Sequence, residues 1–312
     1  MSLKLILKNF LRLPVYLINR LGLIPRRLIV RMDGGICSQI HFYLVGCYLK
    51  DIYQCDLRYD TTWFVTQGTD IDGKHKRNFE LLKLFPSLRI NTENQGLFRQ
   101  IAISFFFKRG IYNIHDLATA EGRKPFAPPR FLGCYFVNTC ELVAENFRTI
   151  FKIDINQLPD DNIAIRDKIV NSRIEGDNCA VHVRRGDLSR PHIIYGNPAD
   201  SDYFVQAMSL MSEKNKKTRF FVFSDESEWF EKEVLPTISN LEVTMVKVND
   251  SSRAYCDLIL MSLCKNQITS HGSMGKYAAM LRSDEDLDGL VMLPENESSY
   301  EWQICFKNSK IL

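Results

Sequence analysis

The chain has 312 residues, 45% hydrophobic and 25% charged, enough for one large core or two ordinary ones and too apolar for a disordered, collagen-like or disulfide-scaffold protein. Nine cysteines, an odd number with no C-x-x-C pair, favour neither a zinc site nor a disulfide framework and fit a reducing compartment. The formal charge of +3 is uneven: seven basic residues and no acidic one precede Asp33, leaving 33 basic against 37 acidic residues, a balance that argues against a nucleic-acid partner.

In residues 1–27, Leu3, Leu7, Phe10 and Leu11 recur at helical spacing opposite Lys4, Lys8 and Arg12, until Pro14 interrupts. Such a basic amphipathic segment either lies in a membrane interface against anionic headgroups or packs as a terminal helix on the protein's own body. No run of 18 apolar residues exists, so no spanning helix is expected. Charge breaks the apolar stretch too often for a cleaved signal peptide.

From residue 28 the pattern alternates between strands and helices. Leu28–Met32 reads as a strand, Asp33-Gly34-Gly35 as a glycine turn, and residues 36–50 as a helix, the entry to a Rossmann-like unit. GRKPFAPP, residues 122–129, reads as a loop, followed by an aromatic-rich strand and a helix around 139–151. In the second half CAVHVR (179–184), RFFVF (219–223), residues 266–270 and Val291–Leu293 read as strands, and 252–264 and 274–281 as helices. This predicts an α/β protein with parallel sheets covered on both faces. The polar stretch 155–178 suggests a division into residues 28–165 and 166–312.

Ligands of open α/β sheets lie outside the carboxyl ends of the strands. Three such ends carry polar clusters: His182-Val183-Arg184-Arg185-Gly186-Asp187, Ser224-Asp225-Glu226, and Ser270-His271-Gly272-Ser273. Paired guanidinium groups beside a glycine suit a diphosphate, although a surface cluster with Asp187 paired to an arginine has the same composition. Ser224-Asp225 either caps the next helix or presents a hydroxyl and a carboxylate to a nucleotide. The small residues around Ser273 leave N–H groups for phosphate.

HVRRGD, FFVFSDESEW and DLILMSLCKNQI, in this order, resemble the donor-binding half of glycosyltransferase family 11, the α-1,2-fucosyltransferases, within a superfamily that shares an H-x-R-R-x-D motif. DGGICSQIHFYLVGCYL resembles the family's glycine-rich opening, keeping Gly34, Gly35 and Gln39, and GCYFVN resembles a later strand. The chain departs where two family tryptophans become Lys276 and Tyr277.

The resemblance implies a GT-B-like fold, two Rossmann-like domains facing a cleft: residues 28–165 on the acceptor side and 166–312 binding a GDP-sugar. It implies inverting transfer of L-fucose from GDP-fucose to a glycan hydroxyl, with the 2-hydroxyl of galactose as target, and no cofactor or metal. Arg184, Arg185 and Asp187 are the expected catalytic residues; His182, Arg184, Arg185, Ser224, Asp225, Asp257 and Ser273 would bind the donor, and Gly34, Gly35 and Gln39 would line the acceptor side. Asp257 would hold guanine; a helix-surface charge is the alternative. The residue that takes the acceptor proton is not visible, although Asp33, His41, Asp187 and His192 are chemically able. Other readings are transfer of another GDP-6-deoxyhexose and a non-catalytic glycan- or nucleotide-binding protein. A glycan or lipid-linked oligosaccharide acceptor and a place at the inner face of a bacterial plasma membrane complete the expectation.

Overall fold

A computed structural model describes residues 13–14, 17–18, 20–70, 73, 75–93, 106–189 and 198–312, without the side chains of residues 145, 146 and 187. The helical periodicity over residues 1–12 and the candidate His192 lie outside the described residues. The chain divides into two units.

The first unit, residues 1–79 and 89–142, holds a parallel sheet of β1 (Arg27–Arg31), β2 (Asp56–Asp60), β3 (Phe107–Asn113) and β4 (Arg130–Val137) in the order β2-β1-β4-β3. Leu28 and Val30 of β1 are buried between half-buried neighbours, so this strand shows the alternation of one face turned to the core. After β1 the chain turns at Gly34, whose φ of +75° favours glycine, and enters α1 (Ile36–Tyr53).

The second unit, residues 80–88 and 143–312, holds six parallel strands: β5 (Asn178–Val183), β6 (Arg219–Ser224), β7 (Glu242–Val246), β8 (Asn266–Ile268), β9 (Val291–Leu293) and β10 (Ser309–Ile311). Their order is β10-β9-β8-β5-β6-β7. Every residue of β5 is buried, the continuous run expected of a strand covered on both faces. Val181, Val183, Phe220 and Val222 form one core with Phe204, Met208, Phe230 and Ile268.

The helices are α2 (Cys140–Ile150), α3 (Asp160–Glu175), α4 (Ser201–Lys214), α5 (Ser227–Glu233), α6 (Ala254–Ser262), α7 (Met274–Met280) and α8 (Glu297–Trp302). The division at 142/143 falls inside α2, ahead of the expected 165/166, which lies within α3. The polar composition of 155–178 therefore belongs to a helix rather than a linker: α3 buries Asn162, Ile169 and Ser172 while its charged residues face outward. The expected loop at 122–129 likewise begins with helical turns over Ala120–Arg123 and Lys124–Phe126.

Candidate active site

From β5 the second unit winds through β6 and β7 to one side, then returns to β8, β9 and β10 on the other. Where the winding reverses, successive helices leave on opposite faces and a crevice opens outside the carboxyl ends of the two central strands. Those strands are β5 and β8, and the segments that follow them are 184–189 and 269–273, two of the three clusters singled out from the sequence.

Asp225, just beyond β6, clamps the turn after β5. Its Oδ2 accepts from Arg184 Nη1 at 2.7 Å, and its Oδ1 accepts from the backbone N–H of Arg185 at 2.9 Å. Gly186 keeps this turn close, because a Cβ there would lie 2.8 Å from Asp225 Oδ2. Ser224 Oγ accepts from the backbone N–H of Glu226, so it shapes the start of the next turn.

The two arginines have different surroundings. Arg185 lays its guanidinium 3.6 Å from the centroid of the Trp229 ring and donates from Nη1 to the Ala199 carbonyl at 3.0 Å. Its buried Nε lies 3.4 Å from Glu226 Oε2, an ion-pair contact without hydrogen-bond geometry. Only 16% of its side chain is exposed, against 32% for Arg184. The structure thus separates two residues that the sequence left equivalent: Arg184 presents charge at the strand end, and Arg185 is packed beneath it. The backbone of Asp187 lies in the turn Gly186–Ser189, and its side chain is outside the described residues.

His182 is 6% exposed and shares a 2.9 Å hydrogen bond between Nδ1 and Ser270 Oγ, tying the end of β5 to the segment after β8. Burial, with the charges of Arg184 and Lys276, lowers its pKa to about 3, so it is neutral at physiological pH. It holds the loops after β5 and β8 together. The fully buried Lys276 donates to the His271 carbonyl at 3.4 Å and stands 5.8 Å from the Trp302 ring centroid. Ser273 precedes α7 and makes no side-chain cap.

α7 rests on His182 through Gly275, where a Cβ would come within 2.9 Å of the histidine Cβ and 3.2 Å of its Cγ. Gly275→Ala is therefore expected to cost about 1–3 kcal/mol through overpacking, measured by chemical denaturation. An unchanged midpoint would show that α7 shifts freely.

Asp257 sits in the first turn of α6, which follows β7 and so begins at the carboxyl edge of the sheet. It is half-buried and hydrogen-bonded within the fold rather than a free helix-surface charge. Burial raises its pKa to about 6, although Asn249 donates to its Oδ1 at 2.8 Å. Asn249 and the fully buried Asn162 exchange amide hydrogen bonds of 2.7 and 3.0 Å. Neither asparagine is apparent as a site residue from the sequence alone.

In the first unit Gly34 and Gly35 form the turn after β1, and Gln39 lies under it. Gln39 is fully buried and donates to the carbonyls of Gly34 (3.3 Å) and Asn78 (2.9 Å). Gln39, expected on the acceptor side, thus sits beneath the turn with its amide N–H groups bound to the backbone there. Among the described residues, no group of three or more His, Cys, Asp and Glu is placed to hold a metal ion, and no helix is long and apolar enough to cross a membrane.

Residues 161–306, which contain these three clusters and Asp257, match the model of glycosyl transferase family 11, the family that the motifs resemble. The O-antigen biosynthesis glycosyltransferase WbnK of Escherichia coli is 31% identical over 111 residues. That alignment covers 34% of this chain and only 35% of WbnK, so the chain matches about a third of the relative's length. The fold is similar to NodZ α-1,6-fucosyltransferase co-crystallized with GDP (14% identity, TM-score 0.47, 83% of this chain and 93% of that one). It is also similar to a family 9 glycosyl transferase from Veillonella parvula (11% identity, TM-score 0.44, 92% and 85%).

Proposed function

We propose that the protein is an inverting glycosyltransferase that moves L-fucose from GDP-fucose to a glycan hydroxyl, the 2-hydroxyl of a galactose, during bacterial surface-polysaccharide synthesis. The observation that carries this reading is Arg184, held by Asp225 beside the neutral His182–Ser270 pair, at the winding reversal of the sheet inside the family 11 segment. The O-antigen biosynthesis in the name of the relative WbnK supports a surface-polysaccharide glycan as the acceptor class.

Glycosyl transfer passes through an oxocarbenium-like state while negative charge builds on the departing diphosphate. A fixed cation already aimed at that charge stabilises the transition state more than the bound donor. Arg184 supplies the cation, and Asp225 keeps it from swinging away. Arg185, with Trp229 under it, supports the turn and adds positive potential. A neutral His182 adds no competing charge and fixes Ser270, so the loops after β5 and β8 keep their separation. Asp257 takes the guanine through its carboxylate, Ser224 and Asp225 contact the nucleoside or its ribose, and Ser273 meets the phosphate.

This charge set needs no divalent ion, so turnover should be unchanged in excess EDTA; a loss restored by Mg²⁺ would contradict that part of the mechanism. Lys276 and Tyr277, in place of the family tryptophans, motivate a second reading in which the donor is another GDP-6-deoxyhexose. Rates with GDP-fucose, GDP-rhamnose and GDP-mannose, on lactose and N-acetyllactosamine, decide between them. The proposal expects GDP-fucose to exceed the others by at least tenfold, and a preference for GDP-rhamnose would replace it. Exposed Leu13, Leu17, Ile18, Leu21 and Leu23, next to the basic residues of 1–27, favour work at the cytoplasmic face of the plasma membrane.

A further inference from the structure

The carboxylate of Asp257 ends a chain of hydrogen bonds that lies wholly within the second unit. At the other end, Arg253 donates from Nη1 to Asp161 Oδ2 at 2.5 Å and from Nη2 to the Val248 carbonyl at 2.6 Å. A pair of amides lies between the two carboxylates. Asn162 Nδ2 donates to Asp161 Oδ1 at 2.8 Å and to Asn249 Oδ1 at 3.0 Å. Asn249 Nδ2 donates to Asn162 Oδ1 at 2.7 Å and to Asp257 Oδ1 at 2.8 Å. Each asparagine therefore gives one N–H to its partner and one to a carboxylate. That fixes the direction of both amides, because either one turned over would aim its oxygen at a carboxylate. Asn162 is fully buried on α3, while Asn249, on the loop after β7, and Asp257, in the first turn of α6, are half-buried. Among the described residues, Asp257 Oδ2 accepts no hydrogen bond.

One oxygen held and one left open give a carboxylate of fixed plane rather than a freely turning one. Guanine offers two adjacent donors on one edge, the ring N1–H and the 2-amino group, and a carboxylate meets both only when its plane lies along that edge. We propose that Asn249, held by Asn162, is a positioning residue for guanine selection, fixing Asp257 for the two donors of that edge. This rests on the guanine role proposed for Asp257 and adds how the carboxylate comes to discriminate. Hypoxanthine lacks the 2-amino group and adenine carries an acceptor at N1, so a fixed plane favours guanine over both. A loose carboxylate turns to one donor as readily as to two. The Asn249 bond also favours the ionised carboxylate, against the burial that raises its pKa. Of the charged groups around it, Arg253 favours the ionised form and Asp250 opposes it. Asp161 is paired with Arg253, burial keeps the Cys256 thiol neutral, and Glu80 and Lys83 lie beside Tyr255.

The test measures binding of GDP and inosine diphosphate by calorimetry from about pH 5.5 to about pH 8, beside thermal unfolding. Asn249→Ala should weaken GDP about tenfold, the effect of one hydrogen bond to a charged group. Inosine diphosphate should lose less, so the preference for GDP narrows. The loss of GDP affinity on acidification should set in at higher pH than in the wild type, because the bond that favours the ionised carboxylate is gone. A loop merely loosened would weaken both nucleotides alike at every pH. Asn249→Ser, too short to bridge both partners, repeats the measurement if Asn249→Ala does not fold. A folded variant that keeps the wild-type preference for GDP and an unmoved acidic limb overturns the assignment, while selective GDP binding that is lost in Asp257→Asn leaves the guanine reading standing. No preference of the wild type for GDP over ADP and UDP would remove the guanine reading and this assignment with it.

Discussion

Arg184→Ala is expected to lower kcat for transfer from GDP-fucose by about 10²–10³-fold, the effect of removing one preorganised charge donor from a developing anion. The loss falls on turnover more than on donor affinity, because the diphosphate gains negative charge only as the glycosidic bond breaks. Arg184→Lys should recover part of it: a point charge remains, but the planar fork that meets both Asp225 and a phosphate does not. Arg185→Ala should behave differently. Its guanidinium is spent on the Trp229 face and the Ala199 carbonyl, so truncation removes packing as well as charge and lowers stability along with rate. Single-turnover rates for the three variants, set beside their melting temperatures, separate these outcomes. If Arg185→Ala were folded and inactive while Arg184→Ala stayed active, the two roles would have to be exchanged.

Asp257→Asn is expected to weaken GDP binding by about 10–100-fold, with ADP and UDP unaffected. Two guanine N–H groups paired to one carboxylate form charge-assisted bonds worth about 1.5–3 kcal/mol each, of which an amide keeps only part. The same substitution should stabilise the free protein at neutral pH. Burial raises the folded pKa of Asp257 to about 6 from an ordinary value of 3.8, so the folded chain binds this proton more readily than the unfolded chain does. Between those values stability therefore falls as pH rises, and above them the ionised group costs on the order of 2 kcal/mol. An asparagine, still able to accept from Asn249, avoids that cost. The wild-type protein should accordingly bind GDP more weakly as pH drops through about 6, since the protonated carboxyl offers guanine fewer acceptor positions. Calorimetry at pH 5.5 and 7.5, with thermal unfolding at both, measures the trade. A variant that bound GDP like the wild type would take Asp257 out of the nucleotide site.

The donor half was the more legible because its strands announce themselves. CAV (179–181) and FFVF (220–223) are apolar runs of the kind that strands buried on both faces carry, and charged residues follow each within three positions. β2 (DLRYD) and β3 (FKRGIYN) are not legible in the sequence because charged residues interrupt β2 and no residue of β3 is buried, so neither forms an apolar run or a clean alternation. α3 was taken for a linker for a related reason: few of its residues are buried and most are polar. α4 did carry a signal, Asp200, whose carboxylate caps the helix by accepting from the Tyr203 N–H.

Site residues were legible as clusters at strand ends but not as individuals. HVRRGD shows two arginines; only the placement of Trp229 and Asp225 shows which is stacked away and which is held outward. The resemblance puts Gln39 on the acceptor side, but only the folded turn shows that its amide closes that turn from below. The hydrogen bond from Tyr135 to Asp33, 102 positions away in the chain, is likewise visible only once β1 and β4 are known to be neighbours.

The most direct test of the account is calorimetric titration of GDP, UDP and ADP into the wild-type protein and into Arg184→Ala. The account predicts selective GDP binding by the wild type, with ADP and UDP at least tenfold weaker, and a GDP enthalpy and affinity that both diminish in the variant. Equal binding of the three nucleotides, or no binding of any, would contradict it by leaving the cluster after β5 without a nucleotide diphosphate to act on.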